Sequence, residues 1–537
     1  MRTSAQNQKL RVYRGRVVTM DAGDRVIADG TVCIRGNEIV AVLPAGAPLP
    51  LEFAAVAVTA TGGTIYPGLI ELHNHLSYDA LKIWAVPDIF TNRDDWARHP
   101  DYRKLISGPM NVLGKTAGFP EAIVRYVECK CLLGGVTTSQ GIALFSNAGI
   151  MRFYRGLVRN AETSNGPNMP AADAKIADVI ARDATKFLAH LKRSSCLLLH
   201  LSEGTDTRAH NHFETLTLPD GQVAITNALA GIHCVALKGT DFRLMAARGG
   251  AMVWSPLSNL LLYGATADVK SAREEGVLMG IGSDWSPSGS KNLLGELKIA
   301  RLFSEQAGGI FSDKEIVAMA TRNGARILKW DKAVGSIETG KRADLIVVRG
   351  KTGDAYRKLI DATEADLKLV VIDGVPRCGL SKLMPTGEGT VEHWKVGGKD
   401  RLLNITDEAD EMLNHLTLGD AADRLKDGLQ NLKQLAVEIE KPKPPAALDA
   451  DAPPRWFLQL DHEEPDDESI RTRFANTLDQ PEKINDMVSV AAAKPLSQLL
   501  GPLELDAITT VDDGDYWPGL KRQRNLPQSM KDAILVN

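Results

Sequence analysis

Two histidines one residue apart close the apolar run Tyr66-Pro-Gly-Leu-Ile-Glu-Leu-His-Asn-His75, and they constrain this chain more than any other feature. On a β-strand, residues i and i+2 point to the same side. The spacing therefore predicts that His73 and His75 present two imidazoles together at a strand end. Pro67-Gly68 gives the run a sharp entry. Alone, the pair reads equally well as two surface histidines. The pattern repeats, however. His200 closes Cys196-Leu-Leu-Leu-His200, His233 follows Gly231-Ile, and Asp284 closes Gly276-Val-Leu-Met-Gly-Ile-Gly-Ser-Asp284. Polar groups that each end a hydrophobic segment predict one site gathered from several strand ends.

The segments between them set the fold class. Gly134–Thr138, Leu197–His200, Gly231–Val235, Met252–Trp254 and Val277–Gly282 read as strands, with helical spacing between several of them. Ala171–Lys192 reads as one helix, with Ile176, Val179, Ile180, Phe187, Leu188 and Leu191 on a stripe. Repeated strand–helix units over residues 67–326 predict an α/β (β/α)8 TIM-like barrel with its site at the C-terminal strand ends. Residues 1–66 and 327–382 are β-rich and flank that insert, which predicts one discontinuous β domain.

Residues 383–537 form an appended C-terminal region of mixed character. Leu413–Val437 reads as an amphipathic helix or helix pair, broken by Lys441-Pro-Lys-Pro-Pro445. Stretches 449–454 and 462–469 are acidic and loop-like, and Trp456–Leu460 is strand-like. Trp394, Trp456, Phe457, Tyr516 and Trp517 supply enough aromatic surface to fold this region onto the body.

Bulk properties narrow the function classes. A formal charge of -4 argues against nucleic-acid or anionic-membrane binding. No apolar stretch is long enough to span a bilayer, and the N-terminus has no charged-then-apolar signal pattern. Six scattered cysteines in 537 residues are no disulfide framework, so a cytoplasmic location is expected. Cys129 and Cys131 fall in a helical segment, where i and i+2 face apart. They read as buried structural thiols.

Imidazole and carboxylate groups suit zinc or iron, and a catalytic site leaves one position for water. His73, His75, His200 and Asp284 supply three nitrogens and one oxygen. A metal there acidifies water into a nucleophile. Glu203, three residues past His200, is placed to take or give a proton. His233 is either a further ligand or a residue that orients the water. Taken one at a time, each residue is better read as a hydrogen-bonded core or surface group; taken together, they favour the site.

Tyr66–Asp79, His200–Glu203, Gly231–Leu237, Trp254-Ser-Pro-Leu-Ser-Asn259 and Gly282-Ser-Asp284 together resemble the amidohydrolase superfamily. The resemblance is to its mononuclear branch, with triazine hydrolases, guanine deaminase and related aminohydrolases. Asp29–Arg35 and Val334–Val348 resemble that family's composite β-sandwich. The resemblance covers roughly residues 10–378. It implies that His73, His75, His200 and Asp284 bind the metal and that Glu203 shuttles protons. It also implies that His233 holds or polarises the water and that Asp284 doubles as base. Binuclear relatives often carry a carboxylated lysine on the fourth strand. Here no lysine occurs between Lys130 and Lys175, and both read as helical, so one Zn2+ or Fe2+ is expected. The segments Asp79–Leu113 and Trp285–Asn292 carry little of the resemblance. Trp84 and Trp285 within them are candidate substrate contacts.

The expected function is hydrolysis at an sp2 carbon of a small, ring-containing nitrogen compound, as a deaminase. Cleavage of a cyclic amide, imide or lactam is the alternative. A non-catalytic barrel relative serving binding or assembly is a further one, disfavoured because the ligand set is complete. The expected partner is a small-molecule substrate, with no nucleic acid and no membrane, in a chain compatible with a homo-oligomer.

Overall fold

A computed structural model describes residues 9–146, 151–175, 184–218, 220–385, 391–406, 416–441, 455–460 and 494–534, with the single positions 387, 389 and 413. The acidic stretches 449–454 and 462–469 lie outside the described residues.

Five parallel strands run in sequence order through Asp173–Lys175, Leu197–Leu201, Leu229–His233, Ala251–Trp254 and Leu278–Ile281. The last four are almost wholly buried, as apolar runs covered on both faces must be. A second parallel sheet pairs Leu69–Ile70, Val136–Ser139 and Arg159–Asn160. The two sheets meet at both edges. Ala172 N donates to Ala161 O at 2.9 Å, Leu72 N donates to Ile281 O at 3.4 Å, and a parallel bridge joins Asn74 to Asp284. The carboxyl ends of these strands therefore share one rim.

Alternating side chains sort into two layers. Ile70, Leu72, Leu198, Ala230, Ile232, Ala251 and Val253 pack in one cluster. Leu197, Leu199 and Leu201 belong to the larger cluster beneath the helices. That larger cluster includes Phe119–Leu133, the helix leading into Val136–Ser139.

Two local expectations need correction. Residues 173–175 are not helical: Asp173, Ala174 and Lys175 pair in parallel with Leu197, Leu198 and Leu199. Pairing with a neighbouring strand outweighs the helical periodicity there, while the helix itself is Ala184–Leu191, with Phe187, Leu188 and Leu191 buried. The first strand ends at Ile70, before His73, so the two histidines sit in the turn that follows it.

The β-rich flanks join in a single nine-stranded sheet. Its order is Val391–Val396, Lys399–Asn404, Val375–Gly379, Leu367–Ile372, Leu345–Arg349, Val58–Pro67, Leu10–Val18, Val26–Arg35, Glu38–Pro44. Strand Val58–Pro67 pairs with Leu10–Val18 on one side and Leu345–Arg349 on the other, which stitches the two flanks together. The sheet continues past residue 382 through the last hairpin.

The C-terminal region packs on the body. Helix Leu418–Gln430 lies against Phe119–Leu133, where a Cβ on Gly428 would come within 2.1 Å of the Phe119 ring. Leu432–Glu440 follows as a second helix, and Trp456–Leu458 pairs with Ala143–Ser146. Leu505 bridges to Leu81. Among the described residues, no helix is long and apolar enough to cross a membrane.

Candidate metal centre and active site

The strand-end residues converge. The His73 ring lies 4.8 Å from His75, 4.7 Å from His200 and 5.2 Å from His233, centroid to centroid. Asp284 Oδ1 stands 3.1 Å from His73 Nε2 and 3.4 Å from His75 Nε2. Backbone turns aim these groups inward. Ser202, His233 and Asp284 adopt φ of 51°, 67° and 68° at the strand ends, in the left-handed region that non-glycine residues rarely enter. Such residues cluster where function constrains the backbone. The chain ends at this rim are also tied together, with His75 N donating to Asp284 O and Asp284 N to His73 O.

Neighbouring amides fix two imidazole tautomers. Gln140 Oε1 accepts from His73 Nδ1 at 2.9 Å and from Asn74 N at 3.1 Å. Asn259 Oδ1 accepts from His233 Nδ1 at 2.9 Å, while Asn259 Nδ2 donates to Thr266 Oγ1. An amide oxygen only accepts, so both Nδ1 atoms carry the proton and both Nε2 atoms offer lone pairs. His73 Nε2 is buried and, among the described residues, has no aligned hydrogen-bond partner. A lone pair 3.1 Å from a carboxylate oxygen is repelled unless a cation lies between them.

The donor set fits a divalent metal. The ligand atoms of His73, His200 and His233 lie within 4.8 Å of one another, and so do those of His73, His75 and Asp284. Donors on opposite sides of a zinc-like ion stand roughly 4 Å apart. Electrostatics point the same way. Burial, together with the neighbouring imidazoles, pushes His200 well below the usual histidine range. Burial also lowers His73, against the pull of Asp284. Burial opposes ionisation of Asp284, but His73, with His233 and His75, outweighs it and holds the carboxyl low. Each shift favours the deprotonated form a metal takes.

Glu203 faces this cluster from the turn after Leu197–Leu201. Tyr263 OH donates to its Oε1 at 2.6 Å, and Trp96 Nε1 donates to Tyr263 OH at 2.8 Å. Glu203 Oε2 is buried without a hydrogen-bond partner among the described residues, 3.9 Å from His233 Nε2 and 3.9 Å from Arg93 Nη1. Ser258 Oγ donates to Asp284 Oδ2 at 2.5 Å, which leaves Oδ1 toward the histidines.

The two candidate tryptophans part company. The Trp285 ring lies 5.7 Å from His75 and packs near Tyr78, Trp96 and Tyr102. Trp84 instead packs on Phe90 and His99. Gln140, Ser258 and Tyr263 were not singled out from the sequence. Tyr263 stands four residues after Asn259 on helix Pro256–Tyr263, and that i, i+4 spacing was the available signal.

Lys175 needs correction. It lies on a strand, the fourth of the parallel set, so its supposed helical setting gives no reason to exclude it as a ligand. The register gives a different reason. Lys175 pairs with Leu199, whereas Ala174 pairs with Leu198 and packs with it in the cluster that holds Ile70 and Leu72. With a side-chain period of two, Lys175 holds a register position out of phase with His200.

The sequence profile of the amidohydrolase family matches residues 155–377. This chain carries an amidohydrolase domain. Beyond it, the chain is 26% identical over 393 residues to a 5-methylthioadenosine/S-adenosylhomocysteine deaminase of Desulforudis audaxviator, covering 64% of this chain and 88% of the relative. The fold is similar to that of an adenosine deaminase from Xanthomonas campestris with bound zinc. That match has a TM-score of 0.57 and 18% identity, over 79% of this chain and 98% of the other. It is also similar to the zinc complex of atrazine chlorohydrolase from Arthrobacter aurescens, with a TM-score of 0.53 and 19% identity over 70% and 96% of the two chains. The matched stretch contains His200, Glu203, His233 and Asp284, while His73 and His75 lie before it.

Proposed function

We propose that this amidohydrolase is a metal-dependent aminohydrolase that displaces ammonia from an sp2 carbon of a small, planar nitrogen heterocycle. The observation that carries this reading is Glu203, a buried carboxylate with one oxygen held by Tyr263 and the other turned to the histidine cluster. In this reading the parallel strands act as one (β/α)8 barrel, residues 67–326, flanked by a composite β domain from 1–66 and 327–404, with the rest of the chain appended.

His73, His75, His200 and Asp284 hold one divalent ion, zinc or iron, and His233 lies within reach as a further donor. Bound there, the ion supplies Lewis acidity beside the attacking water. The chain's own groups handle protons. Asp284 Oδ1 accepts one from water, with Ser258 steadying Oδ2. Glu203 Oε2 carries the second proton of that water to the ring nitrogen, and Asp284 returns the first to the amine as its C–N bond breaks, so that ammonia leaves and the oxygen stays as the carbonyl. Trp285, near His75, offers a face for a planar ring. A purine 6-amino group is the substrate class that the deaminase relatives suggest. Six buried, free cysteines fit a reducing compartment such as the cytoplasm.

Two other outcomes stay distinct. A cyclic amide needs only its leaving nitrogen protonated, and a chlorinated triazine loses chloride. Ammonia release from adenosine-type nucleosides, guanine, cytosine and aminotriazines, with and without chelator, tests the proposal. Chelator-sensitive ammonia release supports it. Turnover of lactams or chlorotriazines with no ammonia from any amine would overturn it.

A further inference from the structure

Beside the active-site loops lies a buried charge cluster that the chemistry above does not use. Asp506, from the C-terminal region, accepts from Lys130 Nζ on Oδ2 at 2.8 Å and from Lys291 Nζ on Oδ1 at 2.6 Å. All three side chains are almost fully buried, at 3%, 2% and 1% exposure respectively. Lys130 comes from helix Phe119–Leu133 and also donates to Asp79 O and Ser286 Oγ, both at 2.8 Å. Lys291 also donates to Ala507 O at 3.0 Å and Asp513 Oδ2 at 2.8 Å. Asp79 Oδ1 in turn accepts from Ser286 N at 2.7 Å.

The loop that follows Asp284 is thus pinned near both ends, at Ser286 and at Lys291. Trp285 sits at the start of that span, facing His75. The same C-terminal segment grips a second loop. Gln523 accepts from Val86 N at 3.2 Å and donates to Trp84 O at 2.7 Å. Asn525 donates to Asp88 O and to Leu261 O, on the helix that carries Ser258, Asn259 and Tyr263.

Burying two lysines and a carboxylate is costly, and well-packed apolar side chains often give equal or greater stability. Directional bonds give defined geometry instead. We propose that Asp506 is a positioning residue of the active site: by bridging Lys130 and Lys291 it fixes the loop from Trp285 to Lys291 and holds the Trp285 ring at the histidine cluster. The inference rests on reading that cluster as the active site.

Asp506→Asn keeps the shape and removes the charge. Metal content should stay near one equivalent per chain, and amide exchange should quicken selectively in residues 284–292. KM should rise about tenfold with a much smaller change in kcat, because Trp285 faces the substrate and not the reacting bond. In a Trp285→Ala background, Asp506→Asn should raise KM no further. A purely structural Asp506 would lower the melting temperature in both backgrounds, spread faster exchange over the whole chain and leave KM alone. Wild-type exchange at 284–292, or multiplicative KM effects, would overturn the inference. Asp513→Asn, whose carboxylate meets Lys291 and the Asp515 amide but not Lys130, gives the same readouts with smaller shifts if the first variant fails to fold. Should no amine be turned over, the function reading fails, and the exchange measurement still decides the role of Asp506.

Discussion

The Tyr263 hydroxyl donates to Glu203 Oε1 at 2.6 Å, and that bond separates the tasks of the two carboxylate oxygens. One is anchored through Tyr263 to Trp96, and the other faces the histidines from a buried position. Glu203→Gln should therefore keep its metal yet lose about 10²–10⁴-fold in kcat, the usual worth of positioned acid–base catalysis. Tyr263→Phe only frees the carboxylate to turn, and should cost about 10–100-fold, the worth of one hydrogen bond to a charged group. Steady-state kinetics beside elemental analysis checks both. Wild-type turnover by Glu203→Gln would remove the proton-shuttle role.

Gln140 and Asn259 hold the protons of His73 and His233 on Nδ1. Loss of such a partner typically lowers metal affinity by about 10–100-fold. Gln140→Ala should do so through His73. Asn259→Ala tests His233: a comparable loss means that His233 is a ligand, and retained affinity with lower kcat means that it orients water. Competition with a chelator measures both constants.

Much of this site was legible because its residues end short apolar segments, a pattern that survives in one dimension. His73, His200, His233 and Asp284 all lie on the predicted rim. The supporting groups were not legible for the same physical reason. Gln140 and Ser258 act through contacts 67 and 26 residues away in sequence, and no local periodicity announces them, while Tyr263 offers only its i, i+4 spacing from Asn259. The helix read across 171–192 failed because its first strand residues form their bonds with Leu197–Leu199. Asp506 and Gln523 show the same limit, since polar residues in a motif-poor tail gain meaning only from the loops they grip.

One metal per chain is expected from the register of Lys175 with Leu199, not from its absence from a strand. Elemental analysis of carefully purified protein should give about one equivalent of zinc or iron. Lys175→Met should leave that figure unchanged, whereas His73→Ala should abolish both metal and turnover. Two tightly held equivalents that fall to one in Lys175→Met would reverse the assignment.

The C-terminal segment is part of the core and not an ornament. Leu520 and Met530 are fully buried, and both join the large cluster that also takes in helix Phe119–Leu133. Leu520→Ala should cost about 2–5 kcal/mol, as large-to-small changes in a packed core do. Urea unfolding followed by tryptophan fluorescence reads this directly. A change under about 0.5 kcal/mol, the range of ordinary surface substitutions, would mean that the tail packs loosely.

Glu296 gives a pH signature separate from the metal. Its Oε1 accepts from Leu257 N at 3.0 Å at the start of helix Pro256–Tyr263, and Ser290 Oγ donates to Oε2. Burial, which outweighs those two bonds, raises its carboxyl from 4.5 to about 8, with Glu71 and Asp284 adding repulsion. The folded chain therefore keeps a proton that the unfolded chain releases between those values. The unfolded state binds fewer protons there, so stability falls as pH rises through the window. The contribution is full below 4.5 and gone above about 8. Glu296→Gln keeps an acceptor for Leu257 N and cannot ionise, so it should lack this loss. Unfolding midpoints for both proteins from pH 5 to 9 should show the variant gaining on wild type as pH rises. Parallel curves across that range would show that Glu296 is already ionised in the folded chain, with its charge balanced by its hydrogen bonds.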